Sequence, residues 1–215
     1  MLQYRAIVDR IAGDEPGRTL DWGCGFGQVS QLLLEAGVDV VPFDYRPERA
    51  APGLEPLERY PGLQAHVSPE PVALPFGDDA FDSALSCGVL EHVLDPGGSL
   101  DELRRVLRPH GTLYVYNLPN RWSYVERIAR KLGLYYHGAL PDDRVYTLRS
   151  AVALLEAHGF RVVEARRARM LPLAVSGRLA TRAARPIWLA SGALERVPGL
   201  NVVATTLELV ATARP

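Results

Sequence analysis

Three glycines on alternate positions, Gly23, Gly25 and Gly27, follow Asp21 at the end of the short run Thr19-Leu20-Asp21-Trp22. Glycine tolerates positive φ and carries no Cβ to hold a ligand away from the main chain. The residues that follow, Gln28-Val29-Ser30-Gln31-Leu32-Leu33-Leu34, have helical apolar spacing. The unit therefore reads as strand, tight turn and helix, with the N–H groups of the helix start facing whatever the turn holds. An acid two residues before the first glycine suits a cationic or amino-acid-like ligand better than a pyrophosphate. A dinucleotide GxGxxG starting at Gly23 would need glycine where Gln28 stands. Asp44 ends a second apolar run about twenty residues beyond the first glycine, where a carboxylate accepts hydrogen bonds from both hydroxyls of a ribose. Tyr45 beside it is placed to cover an adenine.

These residues need a scaffold that brings strand ends together. Residues 2–11 carry Leu2, Ala6, Ile7 and Ile11 on one helical stripe, ended by Gly13-Asp14-Glu15-Pro16-Gly17. The pattern predicts strand 1 at 18–22, a helix at 28–36 closed by Gly37, and strand 2 at 38–43, together one βαβ unit. Four prolines between 46 and 62 leave mostly loop before a strand resumes at 63–67. Residues 81–86 read as a fourth strand, 99–107 as a helix burying Leu100, Leu103, Val106 and Leu107, and 111–117 as a fifth strand. A polar connection over 118–148 holds a helix around 124–132; Ser150 caps a helix to His158, and 160–165 is strand 6. Residues 174–197 read as a helical insertion broken at Pro186, and 201–211 as a last strand that closes an antiparallel hairpin. Alternating strands and helices make an α/β fold, a mostly parallel sheet with helices on both faces. Ligands of such sheets bind beyond the carboxyl ends of the strands, near the point where strand order reverses.

A chain of 215 residues with 47% hydrophobic content supports one core, read as a single domain over 1–215. The N-terminus shows no basic-then-apolar leader, and no apolar run is long enough to cross a bilayer. Cys24 and Cys87 are too few for a disulfide scaffold, and the five histidines are scattered. A cytoplasmic protein without a bound metal is the expectation. Net charge is −1, yet residues 1–120 hold 9 Lys and Arg against 18 Asp and Glu, whereas 121–215 hold 15 against 7. Either the two halves attract each other, or the basic half presents a face to an anionic substrate or a membrane surface.

The glycine turn resembles motif I of the class I S-adenosylmethionine (SAM) dependent methyltransferases, and the resemblance extends further. The stretch Glu70-Pro71-Val72-Ala73-Leu74-Pro75-Phe76-Gly77-Asp78-Asp79-Ala80-Phe81-Asp82 is similar to the approach to strand 4 in small-molecule methyltransferases of the ubiquinone/menaquinone biosynthesis type (methyltransferase type 11). Ser86-Cys87-Gly88-Val89-Leu90-Glu91-His92-Val93 and Leu103-Arg104-Arg105-Val106-Leu107-Arg108-Pro109-His110-Gly111-Thr112-Leu113 resemble later motifs of the same family, so the likeness covers about residues 19–117. It implies a Rossmann-like fold with a seven-stranded sheet and a final antiparallel strand. It also implies a SAM-binding core over 1–117, with 118–148 and 171–199 as substrate-side or lid insertions. Asp21, Gly23, Gly25 and Gly27, with Cys24 among them, would surround the methionine moiety. Asp44 and Tyr45 would meet the ribose and adenine, Glu70 the adenine amino group, and Cys87 and Gly88 the methionine side. Glu70 stands where the family usually has Asp. His110 replaces the usual glycine before strand 5, which reads as a turn that does not demand positive φ there.

The implied reaction is transfer of a methyl group from SAM to a small-molecule or lipid-like acceptor by direct displacement. Such transfer needs chiefly in-line positioning, with a base only where the acceptor must lose a proton. No catalytic residue is assigned; His92, His137 and Tyr146 are the candidates. Cys87 lacks the Pro-Cys context of the pyrimidine methyltransferases, and no Asn/Asp-Pro-Pro-aromatic run follows strand 4, so a nucleic-acid substrate is not expected. Asn120, Arg121, Tyr124, His137, Arg144 and Tyr146 are candidates to line the acceptor pocket. In 174–197, Arg178, Arg182 and Arg185 share a helical face with Leu179, Ile187, Trp188, Leu189 and Leu194 nearby. That composition suits a lid over an apolar, anionic acceptor or peripheral membrane contact, as it also suits a packed amphipathic helix. Two other functions remain: a non-catalytic SAM-binding protein of the same fold, and an NAD-binding Rossmann oxidoreductase. The latter explains the turn and Asp44 but fails at Gln28 and at every later motif.

Overall fold

A computed structural model describes residues 2–45, 63–134, 143–171 and 178–215, of which 178–184 are described by backbone alone. Seven strands form one sheet: β1 (Thr19–Trp22), β2 (Val40–Tyr45), β3 (His66–Ser68), β4 (Phe81–Cys87), β5 (Leu107–Pro119), β6 (Phe160–Ala168) and β7 (Thr206–Ala213). Their order is β3-β2-β1-β4-β5-β7-β6. β7 is antiparallel to both of its neighbours and the pairs from β3 to β5 are parallel. Helices α1 (Leu2–Gly13), α2 (Gln28–Glu35), α3 (Pro96–Val106), α4 (Tyr124–Lys131), α5 (Leu148–Ala157) and α6 (Arg178–Glu195) complete the described elements, with a 3₁₀ turn at Leu200–Val203.

The strands read as near-continuous apolar runs because both faces of the sheet are covered. Successive side chains alternate between two cores. Ala84, Leu113, Val115, Leu209 and Ala211 join Leu100, Leu103 and Leu155 on one face. Leu85, Tyr114, Tyr116 and Val210 join Ile7, Ile11, Val29, Leu32 and Leu33 on the other. Each fully buried Leu or Ile contributes about 1.5–3 kcal/mol relative to exposure, so the two layers fix register as well as topology.

Several boundaries differ from the sequence reading for local reasons. α3 starts at Pro96, three residues early, because Asp95 caps it by accepting the Gly98 N–H. The cap of α5 is Thr147; Ser150 is its reciprocal partner in a capping box. Pro186 lies inside α6 without ending it, since a proline removes one helical hydrogen bond while leaving the remaining ladder in place. Residues 200–203 form a 3₁₀ turn, and the last strand begins only at Thr206.

His110 overturns its expectation. Its φ is +66°, so the turn does require the left-handed region. Gly111 is fixed for a different reason: a Cβ there would lie 2.9 Å from the Arg108 carbonyl oxygen. His110 is exposed, so His110→Gly should raise stability by about 0.5–1 kcal/mol by relieving the left-handed strain of a residue with a Cβ. Denaturant unfolding of the two proteins measures it, and an unchanged or lower midpoint would contradict the strain.

Candidate functional site

The order of strands reverses between β1 and β4, and the glycine turn after β1 meets the segment after β4 there. Gly23, at φ +77°, is held by packing: a Cβ on it would lie 2.5 Å from a Val89 methyl. Gly25, at φ +52°, has nothing within 4 Å of its Cβ position. That open space beside the main chain is the cradle the turn was expected to offer. Gly27 caps α2 in the left-handed conformation with no side-chain cap.

Asp21 supplies what Gly27 cannot. Its carboxylate, 2% exposed, accepts the Ser30 hydroxyl at 2.5 Å and lies against the Ser30 main chain in the first turn of α2. Burial lifts its pKa to about 6, opposed by the Ser30 hydroxyl and assisted by the negative charge of Asp44. The acid read as a ligand contact is thus also the anchor of the turn.

A cleft of about 170 Å³ opens beside it, lined by Gly23, Asp44, Tyr45, Glu70 and His92 and walled by Trp22, Phe43, Val72, Leu74, Val89 and Leu94. Of the ten predicted cofactor residues, Gly23, Asp44, Tyr45 and Glu70 meet here. Cys24, Gly25 and Gly27 lie in the turn itself, and Cys87 and Gly88 end β4 on its far side. The sequence reading assigned none of these apolar walls to the site, although Val72, Leu74 and Val89 lie within the motif stretches themselves.

His92 stands in this cleft with Nδ1 2.9 Å from Asp143 Oδ1, which puts it on the wall shared with Asp44. Burial and the charges of Asp21, Glu91 and Glu208 push the Cys87 thiol up to about 12, against the pull of Arg169. It remains protonated at neutral pH and is no nucleophile. Asn117, at φ +64°, donates to Cys87 Sγ at 3.2 Å, while its Oδ1 is buried with no partner among the described residues. It lies within β5, and only a polar residue near the carboxyl end of an apolar strand could have marked it.

The acceptor-side candidates are largely spent on the fold. Asn120 is fully buried, donating to the carbonyl oxygens of Val202 and Ala204 at 2.9 and 2.7 Å. Tyr124 donates to the Met170 carbonyl at 2.6 Å. Tyr146 pairs with Asn120 as an isolated bridge, and burial raises its phenol to about 12, which disqualifies it as a base near neutrality. Arg144 donates to the carbonyl oxygens of Val93 and Leu94, clamping the segment after β4. Arg121 is exposed, and His137 lies outside the described residues.

A second, larger cavity of about 560 Å³ lies between α1, the end of β6 and α6. It shares no lining residue with the cleft. Its Tyr116 pairs in register with Cys87 across β4 and β5, so the cavity reaches the strand end beside the glycine turn. Its arginines from Arg166 to Arg169 sit outside the segment 174–197 to which the sequence pointed.

Comparison with known proteins agrees with this geometry. Residues 2–165 match a family model described as a methyltransferase domain. The demethylmenaquinone methyltransferase of Renibacterium salmoninarum is 32% identical over 137 residues, 60% of this chain and 56% of that protein. The malonyl-[acyl-carrier protein] O-methyltransferase of Pseudescherichia vulneris is 31% identical over 107 residues, covering 50% and 41%. The chain thus spans about half the length of the curated relatives it matches. Among solved structures, the 1,6-didemethyltoxoflavin-N1-methyltransferase of Burkholderia thailandensis, crystallised with its substrate and S-adenosylhomocysteine, superposes with a TM-score of 0.59 at 21% identity, over 99% of this chain and 77% of that one. At that identity the likeness is one of fold.

The raised pKa of Asp21 carries a sign. An acid whose folded pKa lies above its ordinary value near 3.8 favours the neutral form in the folded state, so stability falls as pH rises from about 4 to about 6. The size is about 3 kcal/mol for two units. Asp21→Asn keeps an acceptor for Ser30 without the buried charge. Denaturant titration between pH 4 and 7.5 should show a flatter profile for the variant and stability at pH 7.5 no lower than wild type. An unchanged slope would remove Asp21 as the buried titrating group.

Proposed function

The chain belongs to the methyltransferase-domain family, and from that membership and the site geometry we propose that it transfers a methyl group from SAM to a small-molecule or lipid-like acceptor. The observation that carries the reading is the cleft that joins Asp44 to Gly23 at the switch point of the sheet. The residues fit the cofactor. Two carboxylates, Asp21 and Asp44, match a ligand bearing a sulfonium, an ammonium and a ribose diol, and Phe43, Val72, Leu74 and Leu94 offer an apolar slot for a flat base. Gly25 leaves the main chain open. When bound, SAM supplies an activated methyl group with its leaving group already in place.

The chain's own part is to bind, orient and exclude. Asp44 accepts from the ribose, with Tyr45 and Glu70 at the adenine end and Cys24, Gly27, Cys87 and Gly88 along the methionine side. Asn117 Oδ1 offers an acceptor beside Cys87. His92 belongs to the cofactor wall in this reading, so the transfer rests on positioning. Residues 1–215 act as one domain, with 1–117 holding the cofactor and 118–148 and 171–199 on the acceptor side. The protein acts in the cytoplasm, which fits cysteines that form no disulfide; among the described residues no helix is long and apolar enough to cross a membrane.

Asp44→Ala should weaken SAM binding by about 1.5–3 kcal/mol, the range for hydrogen bonds to a charged group, measured by titration calorimetry. Unchanged affinity would reduce Asp44 to a turn residue, and tight NAD binding without SAM binding would favour the oxidoreductase. Release of S-adenosylhomocysteine with an acceptor distinguishes catalysis from binding alone.

Peripheral membrane contact through 174–197 belongs to the same reading. Arg185, Trp188 and Leu189 are exposed on α6, which suits an interfacial helix. The protein should sediment with anionic liposomes at low salt and be released at physiological salt. Absence of pelleting at low salt leaves α6 as cover for the second cavity.

A further inference from the structure

The larger cavity is built for a ligand of definite charge. Five arginines, Arg10, Arg166, Arg167, Arg169 and Arg196, face two carboxylates, Glu195 and Glu208. Two of the five have carboxylate partners. Arg10 pairs with Asp14 and Glu164 at 3.1 and 2.7 Å, and Arg166 grips Glu208 through Nε and Nη2 at 2.8 and 2.5 Å. Glu195 is engaged elsewhere, accepting the Arg169 main-chain N–H at 2.7 Å and the Ser191 hydroxyl at 3.0 Å.

Of the other three, Arg196 donates to the Gly192 carbonyl oxygen at 3.3 Å, which leaves two guanidinium groups with unmet donors among the described residues. Arg167 Nε and Arg169 Nη2 are buried without a hydrogen-bond partner among the described residues. A buried N–H of a charged group with no acceptor is costly to the fold. Arg169 also holds φ +66°, a conformation that residues other than glycine adopt rarely and that clusters at binding sites. The chain fixes this residue in place, with its N–H on Glu195 and the next two N–H groups, of Met170 and Leu171, on Ser191 at 2.9 and 3.2 Å. These main-chain contacts tie the end of β6, and Arg169 with it, to α6.

The remaining lining mixes the polar Gln3, Ser191 and Asn201 with an apolar share. Ala165, Ala168 and Leu171 come from β6 and its end, and Trp188 and Leu189, 43% and 57% exposed, from α6. A volume of about 560 Å³ falls within the range of small-molecule pockets, about 300–1,000 Å³. Both Arg169 and Glu208 act electrostatically on Cys87, as Asp21 does from the other side, so the charged end of the cavity borders the end of β4.

We infer that this cavity is the acceptor pocket and that the acceptor is an apolar or aromatic body bearing a carboxylate or phosphate, whose oxygens are taken by Arg167 and Arg169. The inference rests on the methyltransferase reading above and names the substrate class of that site. A planar guanidinium fork matches two oxygens of such a group, which a lysine or a hydroxyl does not. Both residues line the cavity, so their guanidinium charge is set beside such a group.

The test uses the full chain saturated with S-adenosylhomocysteine and follows binding of 2-naphthoate, 2-naphthyl phosphate and the neutral 2-naphthamide by calorimetry. A parallel arm uses vesicles of phosphatidylglycerol or phosphatidylcholine to separate a soluble acid from a lipid head group. At least one anion should bind about tenfold or more tighter than the amide, as expected for charge-assisted hydrogen bonds. Arg167→Gln and Arg169→Gln should each remove most of that preference while leaving S-adenosylhomocysteine affinity unchanged, and Arg167→Lys should restore only part of it. A preference for phosphatidylglycerol alone, lost in the same variants, assigns the anion to a lipid. Equal or absent binding of anions and amide in both arms, with S-adenosylhomocysteine bound normally, overturns the inference and leaves the cofactor reading standing. Failure of the wild-type chain to bind S-adenosylhomocysteine overturns the cofactor reading itself, and the naphthoate arm is scored separately from it.

Discussion

The buried contact between Asp21 and Ser30 is the interaction on which the rest of the site depends. α2 begins directly after a left-handed glycine and has no side-chain cap of its own, so its first N–H groups would be left unsatisfied. Asp21 reaches across from the end of β1 and accepts from Ser30, pinning strand, turn and helix to one another. A negative charge at that helix start gains from the helix dipole and loses from burial, and the raised pKa shows that burial wins. The fold therefore carries an acid poised to ionise fully when a cation approaches. The contact adds to the Phe43 carbonyl, which accepts the N–H groups of Gly23 and Cys24 at 2.8 and 2.9 Å, in fixing the frame from which the turn presents its main chain.

A second constraint holds the opposite wall. The segment after β4 has little regular structure, yet it carries Val89, His92 and Leu94 into the cleft. Its rigidity comes from residues fifty or more positions later: Arg144 on the carbonyl oxygens of Val93 and Leu94, Tyr146 on Leu90, and Asp143 on His92. The Arg144 main-chain N–H closes the set on the Glu91 carbonyl at 2.9 Å. Residues 143–146 of that connection thus brace the wall of the cleft, and in the proposed reading the acceptor pocket is displaced toward β6 and α6.

That displacement marks the limit of what the sequence discloses. The glycine turn, the position of Asp44 near the end of β2 and the alternating strands were legible because they are local features: a turn needs particular residues at particular steps, and a strand buried on both faces is apolar throughout. Asn120 and Tyr146 were not legible as structural residues, because the groups they satisfy lie 82 to 84 and 56 residues away along the chain. A polar or aromatic residue in a loop looks the same whether it faces a ligand or a buried carbonyl. His110 misled for the converse reason: its φ is left-handed although its residue type does not announce it, while the neighbouring glycine is held by the close approach of Gly111 to Arg108 and Asp82, a contact between segments. The basic excess of residues 121–215 was visible in the sequence. Its concentration at Arg166, Arg167 and Arg169 emerges only when β6 is seen to end at a cavity.

The quiet chemistry between the two cavities bears on the proposed reaction. An activated methyl donor alkylates any competent nucleophile within reach, so the residues nearest the transfer path must be poor ones. Cys87 ends β4 at that point, and a thiolate there would compete with the acceptor. Burial and the nearby carboxylates of Asp21, Glu91 and Glu208 keep it protonated, with a pKa of about 12, and Asn117 occupies its sulfur with a hydrogen bond. Tyr146 and Tyr116 are buried phenols raised in the same direction. Asp21, which in the proposed reading favours the cationic cofactor, thus also helps to suppress the thiolate, so that one buried charge serves both the binding of the donor and its protection from the protein.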